Sequence, residues 1–260
     1  MTSFEAILLG VVQGATEFLP VSSSGHLVLA QDLLGWSQPD LIFDVWLHFS
    51  TLLAVIIFFW KDLLSLTKKE MLVIAVASIP AVLVGLFLED AIGGLFGSTK
   101  IVALTLLVTG LFNLITARII RNRSGNKELD PNDRGIKNVD FKQGFVVGLF
   151  QALAIIPGIS RSGSTVLAGS LQGLDRLKAF RFSFMLSLPV ILGASSLQFI
   201  KVIKQGAIER ISFDFLLAAG AAFLTGLASL YVFKYVMKKA RLDWFGYYCL
   251  ILGSGYLLFF

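Results

Sequence analysis

The chain has 260 residues, of which 56% are hydrophobic and 15% are charged, with a mean hydropathy of +0.80. Water-soluble domains of this length carry more charge, so the composition excludes an ordinary soluble fold. The net charge of +5 would suit a nucleic-acid-binding protein, but the basic residues cluster between apolar segments, which indicates membrane orientation and no nucleic-acid partner.

The first apolar stretches predict a hairpin and not a pair of membrane crossings. Residues 3–19 and 22–35 form two helical patterns that are broken at Pro20. A helix needs about 20 apolar residues to cross roughly 30 Å of hydrocarbon, and each arm falls short of that length. Such a pair is tolerated in a membrane where it is buried in protein or lines a cavity, so we expect a re-entrant helical hairpin.

Longer apolar stretches predict six transmembrane helices in two groups of three. A second broken pair, 143–156 and 162–173, is interrupted at Pro157-Gly158 and predicts a second re-entrant hairpin. The expected fold class is an all-α polytopic membrane protein, because helices satisfy their own backbone hydrogen bonds in lipid. The six crossings are predicted near residues 41–60, 70–88, 99–120, 178–200, 212–236 and 242–260.

The two hairpin segments repeat one another. Residues 10–35 align without a gap on residues 148–173, with a shift of 138, the difference between positions 160 and 22. Three crossings, an odd number, separate the hairpins, so they enter from opposite sides and their tips meet near the midplane. The matched identities include Gln13 with Gln151, Ser22 with Ser160, Ser24 with Ser162 and Gly25 with Gly163.

These features predict a single integral membrane domain over residues 1–260 with inverted-topology repeats. Repeat 1 covers about 1–121, a solvated loop covers about 122–140, and repeat 2 covers about 141–260. Of the 22 Lys and Arg residues, 17 fall on one side of the predicted crossings, the side that holds the stretch Arg118–Lys142. By the positive-inside rule that side is cytoplasmic, and both termini lie outside.

The hairpin tips carry polar residues that suit phosphate chemistry. Gln13 and Glu17 are four apart and share one helix face. Ser favours helix N-termini, where unpaired N–H groups and a partial positive charge attract anions. Two such termini with Arg161 between them predict a site for a doubly charged phosphate group. The candidate phosphate-binding residues are Gln13, Ser22, Ser24, Gly25, Ser160, Ser162, Gly163, Ser164 and Thr165.

Four side chains are expected to carry the chemistry of this site. Glu17 and His26 supply acid and base groups, Ser23 is the candidate nucleophile, and Arg161 offsets negative charge. Structural roles are the alternatives, since Glu17 can simply pair with Arg161 and Ser residues pack between membrane helices. We assign His48 a structural role, because it lies in mid-span without a matching partner.

The two motifs resemble those of the bacitracin-resistance family of undecaprenyl-diphosphate phosphatases. The resemblance rests on Gln13-Gly14-Ala15-Thr16-Glu17-Phe18-Leu19-Pro20-Val21-Ser22-Ser23-Ser24-Gly25-His26 and on Pro157-Gly158-Ile159-Ser160-Arg161-Ser162-Gly163-Ser164-Thr165, and it covers essentially the whole chain. It implies a hydrolase of the bacterial plasma (inner) membrane that removes the terminal phosphate of undecaprenyl diphosphate and so recycles the carrier lipid for cell-wall synthesis. It also implies bacitracin resistance, because that antibiotic competes for the same lipid.

The resemblance further implies a divalent cation, Mg²⁺ or Ca²⁺. Gln13 stands where many relatives have Glu, and one neutral amide oxygen binds these cations more weakly than a carboxylate does. A site with two carboxylate ligands is therefore doubtful, and Glu17 is left as the main anionic ligand or base. Ser23 is the favoured nucleophile, with His26 or Glu17 taking its proton; a water activated by Glu17 is the competing route.

Two other function classes compete with a hydrolase. An inverted-repeat transporter or flippase of a lipid phosphate shares the broken helices, whereas a scaffolding protein leaves the buried charges unexplained. The set of Glu17, the Ser residues, His26 and Arg161 favours hydrolysis, because a carrier needs no nucleophile. The sequence leaves open the oligomeric state (a homodimer included), the metal, the accepted prenyl chain lengths and the face to which the site opens, for which the family favours the outer one.

Overall fold

The structure is a computed structural model that describes residues 2–35, 41–123, 136–204 and 212–259, without the side chains of Leu41, Ile42, Val45 and Glu89. Within these ranges every regular element is an α-helix. The helices are α1 (Ser3–Glu17), α2 (Ser23–Leu33), α3 (Leu41–Phe58), α4 (Trp60–Leu64), α5 (Lys68–Phe87), α6 (Glu89–Phe96), α7 (Thr99–Arg123), α8 (Phe141–Leu153), α9 (Arg161–Leu171), α10 (Arg176–Lys204), α11 (Phe213–Lys239) and α12 (Asp243–Phe259).

Four helices, α5, α7, α10 and α11, are long and apolar enough to cross a membrane, with 20, 25, 29 and 27 residues. The apolar stretch Trp46–Phe58 of α3 is shorter, and α12 has 17 residues. Large apolar side chains such as Phe87, Leu224 and Ile251 are more than half exposed, as expected for a surface that faces lipid. The all-helical, multi-pass character that the sequence predicts is confirmed, whereas the number of crossings stays a prediction.

The predicted hairpin arms coincide with pairs of short helices. Arms 3–19 and 22–35 become α1 and α2, and arms 143–156 and 162–173 become α8 and α9. The chain breaks between the helices of each pair because Pro20 and Pro157 have no N–H to continue a helix. Gly158 follows Pro157 with a φ of +85°, a conformation that glycine adopts without strain. Of the predicted loop 122–140, residues 124–135 lie outside the described ranges.

The helices of the two halves pack on each other reciprocally. The first arm of the first hairpin, α1, packs on α11, and the first arm of the second, α8, packs on α5. Gly10 and Gly148, which are equivalent in the repeat, allow both contacts. A Cβ atom at Gly10 would collide with the carbonyl of Ala218, and one at Gly148 would collide with the carbonyl of Ala77. Both arms therefore approach their partner helices backbone to backbone.

The tips of the two hairpins meet. The Ser162 hydroxyl donates to the carbonyl oxygen of Leu19 at 3.1 Å, which joins the second hairpin to the break of the first. A Cβ atom at Gly25 would lie 3.1 Å from the Cα atom of Gly158, and one at Gly163 would lie 3.4 Å from the Pro20 side chain. The glycines thus permit the close approach that brings polar groups of both hairpins into one region.

Helix α7 binds the carbonyl groups that the breaks leave without helical partners. Thr105 donates to the carbonyl oxygen of Pro157 at 2.5 Å, and Thr109 donates to that of Gly158 at 2.8 Å. The Asn113 amide donates to the carbonyl oxygen of Pro20 at 2.6 Å. Non-helical backbone is tolerated in a membrane protein when such partners exist, and one helix supplies them for both hairpins.

Candidate active site

The carboxylate of Glu17, the last residue of α1, collects side chains from both hairpins. It accepts hydrogen bonds from Ser23 Oγ at 2.5 Å and from Gln13 Nε2 at 3.0 Å. Its other oxygen faces Nη2 of Arg161 at 3.2 Å. The Glu17 side chain is only 7% exposed, so this pair holds opposite charges in a site of low dielectric. Glu17, Ser23 and Arg161 therefore meet, as the sequence predicts.

Arg161 begins α9 and enters the site from the second hairpin. Its side chain is 15% exposed, and its guanidinium lies over the ring of the buried Phe184, with 5.6 Å between Cζ and the ring centre. Nη2 is held by Glu17, whereas the buried Nη1 has no hydrogen-bond partner among the described residues. One edge of the guanidinium is therefore available to an anion.

Equivalent serines cap the second arms of both hairpins. Ser22 Oγ accepts from the Gly25 N–H at 3.3 Å, and Ser160 Oγ accepts from the Gly163 N–H at 3.1 Å. Each capping hydroxyl also lies 3.2 Å from the hydroxyl two residues on, that of Ser24 or Ser162. Two helix N-termini with free N–H groups and a partial positive charge are thus held close together.

These groups surround a cavity of about 180 Å³. Its lining combines polar side chains from both hairpins with apolar side chains from the second hairpin, α6 and α10, a combination that suits a charged head group with a hydrocarbon tail. The lining residues are Glu17, Ser22, Ser23, Ser24, His48, Phe96, Gln151, Ala154, Ile155, Ile159, Ser160, Arg161, Ser187, Val190 and Ile191.

Several predicted binding residues do not line the cavity. Gln13 donates to Glu17, and Thr165 is bonded to Ser183 at 2.6 Å and to the Arg161 carbonyl at 2.8 Å. The hydroxyl of Ser164 is buried with no partner among the described residues. Outside the lining set are Gln13, Gly25, Ser162, Gly163, Ser164 and Thr165.

The structure places His48, and not His26, in the lining of the cavity. His26 turns away from Glu17: its Nδ1 lies 2.8 Å from the Ser22 carbonyl oxygen, and its Nε2 lies 2.7 Å from the hydroxyl of Tyr248 on α12. His48 lines the cavity, and its Nε2 lies 3.7 Å from Glu17. Because α3 packs beside the first hairpin, its mid-span histidine reaches the site, which the spacing of the sequence alone does not show.

Gln151 is a further cavity residue, and it is absent from the candidate residues that the sequence predicts. Its match with Gln13 in the repeat is the signal that could have identified it. Ser187 of α10 also lines the cavity, and no sequence pattern points to it.

The residues fit a divalent cation only in part. The described residues hold no group of three or more His, Cys, Asp or Glu side chains that could bind a metal ion. Glu17 is the one carboxylate in the described lining, and the buried Oε1 of the adjacent Gln13 has no partner there. One carboxylate and one amide oxygen suit Mg²⁺ when substrate phosphates supply further ligands.

Known proteins resemble this chain over nearly its whole length. The sequence profile of the family described as bacitracin resistance protein BacA matches residues 6–255. The undecaprenyl-diphosphatase of Halothermothrix orenii is 40% identical over 97% of this chain and 96% of its own. Those of Methanococcus vannielii and Carboxydothermus hydrogenoformans are each 38% identical, over 98% and 99% of this chain and 99% and 97% of theirs. The chain belongs to the bacitracin resistance protein BacA family.

Proposed function

We propose that the chain hydrolyses undecaprenyl diphosphate to undecaprenyl phosphate and inorganic phosphate. This reaction recycles the lipid carrier for peptidoglycan synthesis and confers resistance to bacitracin, which competes for the diphosphate lipid. The relatives named undecaprenyl-diphosphatase support the activity. The observation that carries the proposal is the meeting of Glu17 and Ser23 from one hairpin with Arg161 from the other in a single cavity.

The first step is attack of Ser23 Oγ on the terminal phosphorus. The hydroxyl proton passes to Glu17, whose carboxylate lies 2.5 Å from Ser23 Oγ. The bond from that phosphorus to the bridging oxygen breaks, the bridging oxygen takes the proton from Glu17, and undecaprenyl phosphate leaves. Arg161 and the N–H groups at the starts of α2 and α9 offset the charge that develops on the phosphoryl oxygens.

Water completes the cycle by attacking the phosphoserine. Glu17 takes a proton from that water and passes it to Ser23 Oγ as the bond between phosphorus and Oγ breaks, so that inorganic phosphate leaves and both side chains are restored. In the competing route Glu17 activates a water that attacks the diphosphate directly, and no phosphoserine forms. Rapid quenching with substrate labelled in its terminal phosphate separates the two, because only the first route labels the protein.

Glu17 is also the group that would hold a divalent cation, with Gln13 Oε1 as a weaker ligand. A bound Mg²⁺ or Ca²⁺ would neutralise charge on the diphosphate oxygens. Since Glu17 is also paired with Arg161, we expect the cation to bind together with the substrate and not before it.

The membrane layout that we propose has six crossings and two re-entrant hairpins in inverted repeats. The reciprocal packing of α1 on α11 and of α8 on α5 supports this arrangement. Placing α3 and α12 as the two further crossings completes six. The lipid then enters sideways, so that its polyprenyl chain remains among apolar helix faces and its head reaches Glu17.

We also propose a location in the bacterial plasma membrane, with both termini outside and the stretch Arg118–Lys142 in the cytoplasm. Two ion pairs between segments that carry basic residues support one shared side: Arg181 pairs with Asp62 at 3.8 Å, and Arg121 pairs with Asp243 at 3.6 Å. At the other side the Ser3 hydroxyl donates to Asp214 at 2.6 Å, which joins the starts of α1 and α11.

Release of phosphate from undecaprenyl diphosphate by the purified protein in detergent with Mg²⁺ tests the proposed activity. We expect multiple turnover by the wild type and a loss of at least about hundredfold in the Glu17→Ala variant, because the variant lacks the base. A lipid phosphate transporter would release no phosphate in this assay, and that result would overturn the proposal.

A further inference from the structure

Gln151 is a buried amide that the proposed mechanism does not use. It lies in the last turn of α8, lines the cavity and is 2% exposed. Neither its Nε2 nor its Oε1 has a hydrogen-bond partner among the residues that the structure describes. Buried amides in folded proteins nearly always have partners, so a ligand or a water in the cavity is the expected partner of this amide.

Arg161 presents a second unpartnered donor in the same cavity. Its Nη2 is held by Glu17, but its buried Nη1 is without a partner in the described ranges. Arg161 and Gln151 both belong to the second hairpin, whereas Glu17 and Ser23 belong to the first. The first hairpin therefore brings the carboxylate and the hydroxyl to the cavity, and the second brings two groups that have donors without partners among the described residues.

The repeat explains why Gln151 lacks a partner among the described residues whereas its counterpart, Gln13, has one. Gln13 uses its Nε2 to hold Glu17 at 3.0 Å. In the second hairpin the position equivalent to Glu17 is Ile155, which has no group for an amide to bind. The glutamine is present in both repeats, but only Gln13 has a carboxylate partner. The amide of Gln151 is therefore available to a ligand.

We propose that Gln151 and Nη1 of Arg161 bind the prenyl-linked phosphate of the diphosphate while Ser23 reacts with the terminal one. This inference rests on the proposed function. The amide N–H group donates to a phosphate oxygen, and Oε1 accepts from a water or a protonated phosphate. These contacts anchor the head group of the bound lipid in the cavity, in the ground state and in the transition state alike.

The test compares Gln151→Leu with wild type for hydrolysis of undecaprenyl diphosphate and for inhibition by inorganic pyrophosphate, which carries both phosphates without the lipid. We expect the KM and the inhibition constant for pyrophosphate each to rise about tenfold, the effect of one lost hydrogen bond to a charged group. The kcat should stay within about threefold, because this contact is made in the ground state as well as in the transition state.

Thermal unfolding separates a binding role from a structural one. Leu removes an unsatisfied buried amide, so the Tm of Gln151→Leu should equal or exceed that of wild type. Inorganic pyrophosphate should raise the Tm of wild type and raise that of the variant less. A variant with a lower Tm and an unchanged KM would assign Gln151 to the core and overturn the inference.

Two further variants complete the test. Gln151→Glu keeps the shape and adds a negative charge near the phosphates, so it should raise the KM more than Leu does. Gln31→Leu is the matched control, because Gln31 is also 2% exposed but donates to Asp44 at 3.1 Å and lies outside the cavity. We expect this control to lose Tm and to keep the wild-type KM.

Failure of the inference and failure of the proposed function give different results. Wild-type protein that turns over substrate, with Gln151→Leu unchanged in KM and in pyrophosphate inhibition, would overturn the inference alone. Wild-type protein that releases no phosphate would overturn the proposed function. In that case the pyrophosphate-induced rise in Tm still decides whether Gln151 binds a diphosphate group.

Discussion

Equivalent positions of the two hairpins carry different chemistry. Ser23 corresponds to Arg161, and Glu17 corresponds to Ile155. The first hairpin thus supplies the carboxylate of Glu17 and the Ser23 nucleophile, and the second supplies the guanidinium of Arg161. One diphosphate needs one such carboxylate and one such guanidinium. Two identical hairpins would instead bring two like charges together where the tips meet. The divergence of these positions turns a repeated scaffold into a site with opposite charges.

His26 positions the break of the first hairpin through hydrogen bonds on both ring nitrogens. A carbonyl oxygen can only accept, so Nδ1 of His26 donates to the Ser22 carbonyl, and Nε2 accepts from Tyr248. Ser22 has a φ of 71°, a conformation that is strained for a residue other than glycine, and this hydrogen bond helps to hold it.

We therefore predict that His26→Ala lowers kcat about tenfold and leaves the shape of the pH–rate profile unchanged. A positioning residue changes the amplitude of the profile, whereas a general base determines one of its limbs. The measurement is kcat against pH for both proteins. Loss of the acidic limb in the variant would show instead that His26 takes the proton, the alternative that the sequence leaves open.

At the scale of helices, glycine contacts decide how closely the hairpin arms pack. A Cβ atom at Gly10 or Gly148 would meet the backbone of α11 or α5, which cannot move aside as a side chain can. By contrast, Gly220 on α11 and Gly85 on α5 have open space around them.

Gly10→Ala and Gly148→Ala are expected to destabilise the fold by about 1–3 kcal/mol each, the usual effect of overpacking. The matched controls Gly220→Ala and Gly85→Ala should be neutral or slightly stabilising, because alanine favours helix and meets nothing. Thermal unfolding in one detergent compares the four variants. Equal changes in Tm at all four positions would contradict the backbone-to-backbone packing of the arms.

The helical arms of the hairpins could be predicted from the sequence, but their packing partners could not. Apolar length and the breaks at Pro20 and Pro157 predicted the helical arms to within a few residues, because both depend on local properties of the chain. The neighbours of each arm depend on tertiary packing, so the approach of His48 to Glu17 and the turn of His26 toward Tyr248 could not be predicted.

For the whole molecule, two ion pairs connect segments that carry basic residues at one end of the helices. Arg181 with Asp62 and Arg121 with Asp243 join segments that the sequence assigns to the same side. The repeat alignment and the distribution of Lys and Arg predicted that these segments share one side, because both signals are read over the whole length of the chain. Cavity residues outside the repeat, such as Ser187, carried no signal of this kind.

Cysteine labelling in intact cells tests the orientation. The only native cysteine, Cys249, is buried, so a Cys249→Ala background is suitable. In that background Lys69→Cys should react only with a membrane-permeant reagent, and Lys100→Cys should also react with an impermeant one, because both positions are exposed and lie on opposite proposed faces. The reverse pattern would invert the proposed orientation.

The most direct measurement of the central claim is a double-mutant cycle across the two hairpins. Glu17→Gln, Arg161→Lys and the double variant are compared in kcat/KM for undecaprenyl diphosphate. If both residues act on one diphosphate, each single change lowers kcat/KM severely, Arg161→Lys because Lys lacks the planar fork of Arg. The kcat/KM of the double variant is then only slightly lower than that of the less active single variant. Independent, multiplying losses would contradict a shared site and, with it, the proposed mechanism.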